Sequence, residues 1–391
     1  MSDQTITAPK PALVFLLAAS CGLIVANIYY AQPLVGLIAP AIGIDAHTAS
    51  LIVTLTQLGY ATGLLFLVPL GDIIENRLLL TIMVVAAIPP LLVAATAQTG
   101  GLFLIAAGAI GLTSVAVQVL VPLAGNLGRD HLRGPIVGTV ASGLLVGVLL
   151  ARPVASLLAD AFGWRAVFFM SAGMMFILAC ILRTTLPRLQ PNSTHHYFLL
   201  LTSLLKLPFN TPVLRHRAVY QAASFGCFSL FWTAVPLLLA QNFGYSQVGI
   251  ALFALVGAAG AAMAPVAGRL ADRGHGRVGT IMALVSITLS FLLAAWGGLG
   301  AHSVIILAIA CVLLDCGVQA NLVFGQRAIF ALAPSMRARL NGVFLAMLFL
   351  GGAAGSAITS PLLTHFGWGG ICVAGFIAPL LALGYFALAE R

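Results

Sequence analysis

The sequence predicts an all-α integral membrane protein with twelve transmembrane helices. Of its 391 residues 61% are hydrophobic and only 7% are charged, whereas a soluble chain carries roughly a quarter. Apolar runs of about twenty residues, the length a helix needs to cross the hydrocarbon layer, recur from end to end. Alternation with period two is absent, which excludes a membrane barrel. The 41 glycines and 19 prolines suit packed membrane helices, where small residues let backbones approach.

The twelve runs fall at 12–36, 49–69, 78–96, 102–124, 135–159, 166–184, 217–239, 247–269, 279–296, 303–325, 339–363 and 368–388. Lys10 leads straight into the first without a small-residue cleavage site, so no removable signal is expected. With the amino terminus in the cytoplasm, 16 of the 18 Lys and Arg residues fall in cytoplasmic segments, among them Lys10, Arg129, Arg188 and Arg391. Arg165 lies outside and Arg152 lies within the membrane. That bias sets the expected topology, with both termini cytoplasmic in a bacterial inner membrane. It also explains the net charge of +9 without nucleic acid as a partner. The six cysteines all lie in spans without metal-ligand spacing and are expected as small apolar core residues.

The chain also repeats itself. "FGW" at 162–164 returns at 366–368, and at the same offset of 204 residues Arg133 falls on Arg337, Gly138 on Gly342 and Gly147 on Gly351. Two pseudo-symmetric six-helix bundles are expected, at 1–184 and 217–391, joined by a cytoplasmic linker at 185–216. In that linker "HHYFLLLTSLLKL" (195–207) reads as an amphipathic interfacial helix. Parallel halves around a midplane site are one architecture of secondary transporters.

"VPLGDIIENR" (68–77) and "GRLADRGHGR" (268–277), each between the second and third span of its half, resemble the loop signature of the major facilitator superfamily. "NIYYAQPL" (27–34), "LLDCGVQANLVFGQR" (313–327) and "RARLNG" (337–342) resemble more narrowly its bacterial arabinose-efflux and drug-efflux permeases. The second loop keeps the pattern through Gly268, Asp272, Arg273 and Arg277. The first departs at Pro69 and Ile73 but keeps Asp72. The resemblance implies the major facilitator fold and a conformational latch. In it Asp72 caps the eleventh helix, with Arg133 or Arg337 as partner, and Arg77, Asp272, Arg273 and Arg277 complete the set. Proton antiporters of the superfamily carry a fourth-span arginine and a fifth-span glycine–proline. Here those regions read "LIAAGAIGL" (104–112) and "GVLLARP" (147–153), so the base has moved to Arg152.

A charge at mid-bilayer costs at least ~2.5–3.5 kcal/mol and normally faces a cavity or a partner. Arg152 in the fifth span and Asp315 in the tenth are the two such charges, each near mid-depth. At the repeat offset they map to Ser356 and, with a small gap, Ser114. Asp315 is the candidate proton carrier by elimination, with Arg152 as its coupling partner, directly or through water or substrate. Arg152 holding an anionic substrate alone, or a permanent structural pair, are the alternatives. Polar and aromatic stripes at helical spacing name the substrate candidates. They are Asn27 and Tyr30 in the first span, Ser114 and Gln118 in the fourth, Gln221, Phe225, Phe228 and Trp232 in the seventh, and Gln319 in the tenth. In the superfamily these four helices line the cavity, while helix packing is the competing reading of the aromatic stripe.

No phosphate-cradling loop, metal cluster or nucleophile–base pair stands out, which disfavours an enzyme or an ATP-driven pump. No cofactor is expected. The reading is a monomeric secondary active transporter in the lipid bilayer that exports a small drug-like or sugar-like compound by alternating access in exchange for protons. An uncoupled facilitator or importer of a small polar or anionic metabolite is the alternative.

Overall fold

The computed structural model describes residues 11–127, 132–190, 197–333 and 336–390. Lys10, Arg129 and Arg391, which enter the charge count, lie outside the described residues, as do His195 and His196 at the start of the expected linker helix. The helices are α1 (Pro11–Ala26), α2 (Gln32–Ala41), α3 (Leu51–Asp72), α4 (Asn76–Thr96), α5 (Gly100–Gly125), α6 (Arg133–Phe162) and α7 (Trp164–Thr185). They continue with α8 (Tyr197–Asn210), α9 (Pro212–Asn242), α10 (Gln247–Asp272), α11 (Gly276–Gly300), α12 (Val304–Phe330), α13 (Arg337–Ala357) and α14 (Thr359–Ala389). No strand occurs among the described residues. Eleven of these helices are long and apolar enough to span a bilayer.

The first expected span is a broken one. Its two short helices, α1 and α2, flank a turn over residues 27–31, where hydrogen bonds such as Ile28 N to Val25 O and Gln32 N to Tyr29 O tighten the backbone. α5 breaks at Ser114–Val115 and α10 at Gly257 and Ala262. The hydropathy pattern continues unchanged through such breaks, so it reads each span as one helix.

The seventh span starts at Pro212, earlier than the expected 217. Proline suits a first helical turn, where its missing N–H is not needed. α8 buries Leu200, Leu204 and Leu207 along one face and exposes Phe198 and Phe209 on the other, the apolar stripe at i, i+4 and i+7 that an interfacial helix needs. The segment containing α8 and the carboxyl-terminal end of α14 lie at the same end of the bundle, called here the linker end.

At the far end the hairpins turn on glycine. Gly43, Gly163, Gly244 and Gly367 all have positive φ, which glycine adopts without steric cost. The repeated "FGW" is this device used twice: Gly163 (φ 81°) and Gly367 (φ 58°) reverse the chain. Trp164 then packs edge-on against Phe103 and Phe168, and Trp368 donates to Ala294 O at 2.9 Å.

Within the first six spans α1 packs on α6, α3 on α5 and α4 on α7. Within the last six, α9 packs on α13 and α14, and α11 on α12 and α14. Contact between the two sets runs chiefly through α3 with α13 and α6 with α10. Close approach rests on repeated glycines. A Cβ on Gly22 would lie 2.8 Å from Gly143 O on α6, and a Cβ on Gly226, 204 residues later, would lie 3.0 Å from Gly351 O on α13. Gly22→Leu is expected to force α1 from α6 at a cost of about 1–3 kcal/mol, the usual range for overpacking. The thermal unfolding midpoint in detergent measures it, and an unchanged midpoint would contradict the contact.

Candidate functional site

Among the described residues Arg152 and Asp315 are the only charged side chains in the buried set, at 4% and 8% exposure. Arg152 lies ten residues from the far end of α6, and Asp315 eleven residues into α12 from the same side. At helical rise both depths come to about 15 Å.

Arg152 Nε donates to Gln32 Oε1 at 2.8 Å. Its guanidinium carbon lies 4.9 Å from the ring centre of Tyr29, 5.0 Å from Phe228 and 4.4 Å from Trp232. The break in the first span brings Tyr29 and Gln32 to this cation together. Gln32 also donates through Nε2 to Thr233 Oγ1 at 3.4 Å, so one amide joins α2 and α6 to α9. Three ring faces supply the negative potential that a desolvated cation needs, each worth up to about 2 kcal/mol.

Asp315 accepts from Trp232 Nε1 at 3.0 Å. The broken part of α10 passes over this carboxylate at two glycines. A Cβ on Gly257 would lie 2.6 Å from Asp315 Oδ2 and 2.7 Å from the Trp232 ring. Arg152 and Asp315 form no ion pair. The direct contact open in the sequence reading is replaced by Trp232, whose ring face meets the guanidinium while its N–H edge meets the carboxylate. An indole satisfies both charges because its face is negative and its edge positive.

The other nominated residues divide. Phe225 stacks on Phe228 at 5.1 Å and meets Phe349 edge-on at 5.2 Å, and Phe349 lies 4.3 Å from Tyr60. These rings form a continuous column from the guanidinium toward the linker end. Gln118 donates to Tyr60 OH at 3.2 Å at the foot of that column. Asn27 accepts a hydrogen bond from the Ser171 hydroxyl on α7, and Tyr30 is buried nearby in the chain. Ser114 turns its hydroxyl to its own helix, donating to Ile110 O at 2.6 Å. Gln221 accepts from Asn321 Nδ2 at 2.8 Å, a full two turns from Phe228, and Gln319 is partly buried. Sequence reasoning missed Tyr29, Gln32, Thr233 and Phe349. Tyr29 and Gln32 fall off the helical period that Asn27 and Tyr30 set, because the chain turns over residues 27–31 before α2 begins at Gln32.

The two ends of the bundle differ. At the far end a row of polar contacts joins α3 to α9 and to the α13–α14 segment. Gln57 Nε2 donates to Ser229 Oγ at 2.8 Å, and Thr54 Oγ1 lies 3.0 Å from Ser356 Oγ. Ser50 and Ser360 exchange reciprocal bonds, each backbone N–H donating to the other's hydroxyl, at 2.9 and 3.3 Å. Beyond Tyr60 and Phe349, α3 and α13 part, with α5 and α8, around a cavity of about 210 Å³. Leu64, Asp72, Gln118, Leu200, Leu204 and Asn341 are among its lining. The far end is closed and the cavity lies toward the linker end.

One of the nominated latch residues lines that cavity. Asp72 lines it on one side, with Ala338 and Arg339 of α13 also in its wall. Arg133 Nε donates to Gly125 O and Arg337 Nε to Phe330 O, both at 3.0 Å, so each repeat arginine ends the span before its own. Asp272 pairs with Arg327 at 3.3 Å, a partner the sequence reading did not name. Arg77 reaches Leu186 O at 3.4 Å, Arg277 lies 6.0 Å from the Phe386 ring centre, and Arg273 is exposed.

The sequence profile described as "Major Facilitator Superfamily" matches residues 14–322 and 218–391. The chain is 42% identical over 375 residues to "Uncharacterized transporter YgaY" of Escherichia coli O157:H7, covering 96% of this chain and 94% of that protein. The chain belongs to the major facilitator superfamily. It is also 35% identical over 379 residues to "Probable transporter SCO4007" of Streptomyces coelicolor, across 96% of this chain and 86% of that one. Among solved structures it resembles the nucleoside transporter NupG with a TM-score of 0.76 at 14% identity, over 97% of this chain and 100% of that one. That likeness is one of fold. As a member of the superfamily the protein is a multi-pass membrane transporter of the major facilitator fold.

In this superfamily member Gln32 is the neutral ligand of a buried cation. Gln32→Glu would place a carboxylate against Arg152 and bind the two permanently. Transport is expected to fall more than tenfold while purified protein keeps its monodispersity. Wild-type transport by a folded Gln32→Glu protein would show that Arg152 need not move.

Proposed function

We propose that this protein is a secondary carrier that exports a small organic compound from the cytoplasm in exchange for protons. The observation that carries the reading is the division of its two buried charges. Arg152 and Gln32 belong to the first six spans, while Asp315 and Trp232 belong to the last six, and the contact between them lies where the far end closes. Rocking of the halves therefore separates the cation from the indole and the carboxylate. When the far end opens, Arg152 leaves with its own half, and a proton from that side neutralises Asp315 in its place. When the far end closes, the guanidinium returns to Trp232 and the proton departs through the linker-end cavity. Substrate enters from that cavity, which Gln118 lines, and the bond from Gln118 to Tyr60 leads on to the Tyr60–Phe349–Phe225 column. Aromatic faces beside single amides suit a small amphipathic compound. The outward direction rests on the resemblance to efflux permeases, and the monomeric state on the closed six-plus-six packing.

Asp315→Asn is expected to abolish substrate accumulation driven by an imposed pH gradient in proteoliposomes while sparing counterflow exchange. A variant that still builds a gradient would overturn proton coupling and leave Arg152 as a site for an anionic substrate.

The bias of Lys and Arg toward the linker end supports placing that end in the cytoplasm of a bacterial inner membrane. Single cysteines at Gln98 and His302 are expected to react with an impermeant thiol reagent from outside, and those at Arg188 and His275 only after permeabilisation. The reverse pattern would invert the topology and the direction of transport with it.

A further inference from the structure

The far-end closure carries one more cross-half contact, and it has a ligand chemistry of its own. His47, in the hairpin between α2 and α3, lies with its ring centre 5.2 Å from that of His365, two residues before the break of α14 at Gly367, at an interplanar angle of 43°. Both are exposed. His47 Nδ1 lies 2.8 Å from Thr364 Oγ1. The Thr364 hydroxyl also lies within hydrogen-bond reach of its own helix, with Ser360 O at 2.9 Å and Pro361 O at 3.1 Å. The contact holds the imidazole whichever partner donates, and the tautomer with its proton on Nδ1, in which the Thr364 hydroxyl keeps its bond to its own helix, leaves the Nε2 lone pair free. A histidine whose second nitrogen is held by a hydrogen bond in this way is the usual arrangement of an imidazole metal ligand.

We propose that His47 and His365 form a two-histidine site for a borderline divalent transition metal of the zinc, nickel or copper class. The site is complete only when the far end is closed. Each half contributes one imidazole, and the reciprocal Ser50–Ser360 bonds hold their helices in register beneath the pair. Among the described residues no third His, Cys, Asp or Glu joins them, so water completes the coordination. Imidazole nitrogen suits these metals, while a pair without carboxylates is a poor site for magnesium and calcium, which prefer oxygen ligands. A metal that binds only the closed arrangement shifts the population toward it. Bound from the far side, it acts as a reversible brake on opening. This inference rests on the cross-half geometry and not on proton coupling, so it stands or falls separately from the proposed exchange.

The test uses the full-length protein in detergent, without substrate, in a background carrying His195→Gln and His196→Gln so that the adjacent linker histidines add no copper signal. Cu²⁺ is titrated to one equivalent and read by electron paramagnetic resonance. Superhyperfine coupling to two imidazole nitrogens is expected. It should fall to one nitrogen in His365→Ala and in His47→Ala, with at least a tenfold loss of Ni²⁺ affinity by calorimetry in either. Thr364→Val should keep the site but weaken it severalfold by freeing the His47 ring. A Cu²⁺ spectrum and Ni²⁺ affinity unchanged in both alanine variants would overturn the site. So would a two-nitrogen signal that persists when Gln32→Ala and Ser360→Ala weaken the far-end closure and spin labels across it show the open distance.

Discussion

A guanidinium buried among helices must be compensated where it lies, and the way Arg152 is compensated shapes the centre of this protein. Pairing it directly with Asp315 would neutralise both charges but would leave two long-lived partners in a low dielectric, hard to part. The fold sets Trp232 between them instead. The ring face satisfies the cation, the N–H satisfies the anion, and Gln32 supplies the one conventional hydrogen bond to the guanidinium. Each of these contacts is individually weaker than a buried ion pair, since removing one partner of such a pair costs about 3–5 kcal/mol. A site held by several modest interactions across a boundary can separate and re-form.

The far-end closure follows the same logic. Beside the His47 contacts, its hydrogen bonds run between hydroxyls, one amide and backbone N–H groups: Ser50 with Ser360, Thr54 with Ser356, Gln57 with Ser229. Net hydrogen bonds of this kind contribute about 0.5–1.5 kcal/mol each because water replaces them when they break. An apolar seam of the same area would cost far more to expose. Below it, the stacked Phe225 and Phe228, with Phe349 and Tyr60, seal the charged pair from the linker-end cavity by bulk and not by bonding. The closed end is thus openable by water and the seal by ring movement.

The internal repeat supplies the scaffold and the exceptions to it supply the chemistry. Gly22 and Gly147 recur as Gly226 and Gly351 at the same close helix contacts, Gly163 and Trp164 as Gly367 and Trp368, and Arg133 as Arg337 ending the preceding span. At the repeat positions of Arg152 and Asp315 stand serines, which turn to a neighbouring hydroxyl or to their own helix. Symmetry accounts for packing, and the two charges that break it account for the asymmetric centre.

Much of this was legible in the chain. The loop motifs at 68–77 and 268–277 carried the superfamily resemblance, while apolar runs of spanning length, the one-sided placement of basic residues and the 204-residue echo determined the fold class and the two buried charges. These follow from solvent alone, because a bilayer admits only long apolar helices and makes every exception conspicuous. Only the tertiary structure decided what the charges touch. The break at residues 27–31 swings Tyr29 and Gln32 onto Arg152, a consequence invisible to a helical period that assumes no break. Gly257 looks like one more packing glycine until α10 is seen crossing the Asp315 carboxylate. Thr233 meets Gln32, Phe349 meets Tyr60 and His365 meets His47, each pair drawn from opposite halves of the chain. Their meeting depends on how two bundles close against each other, and no local pattern in either half encodes that.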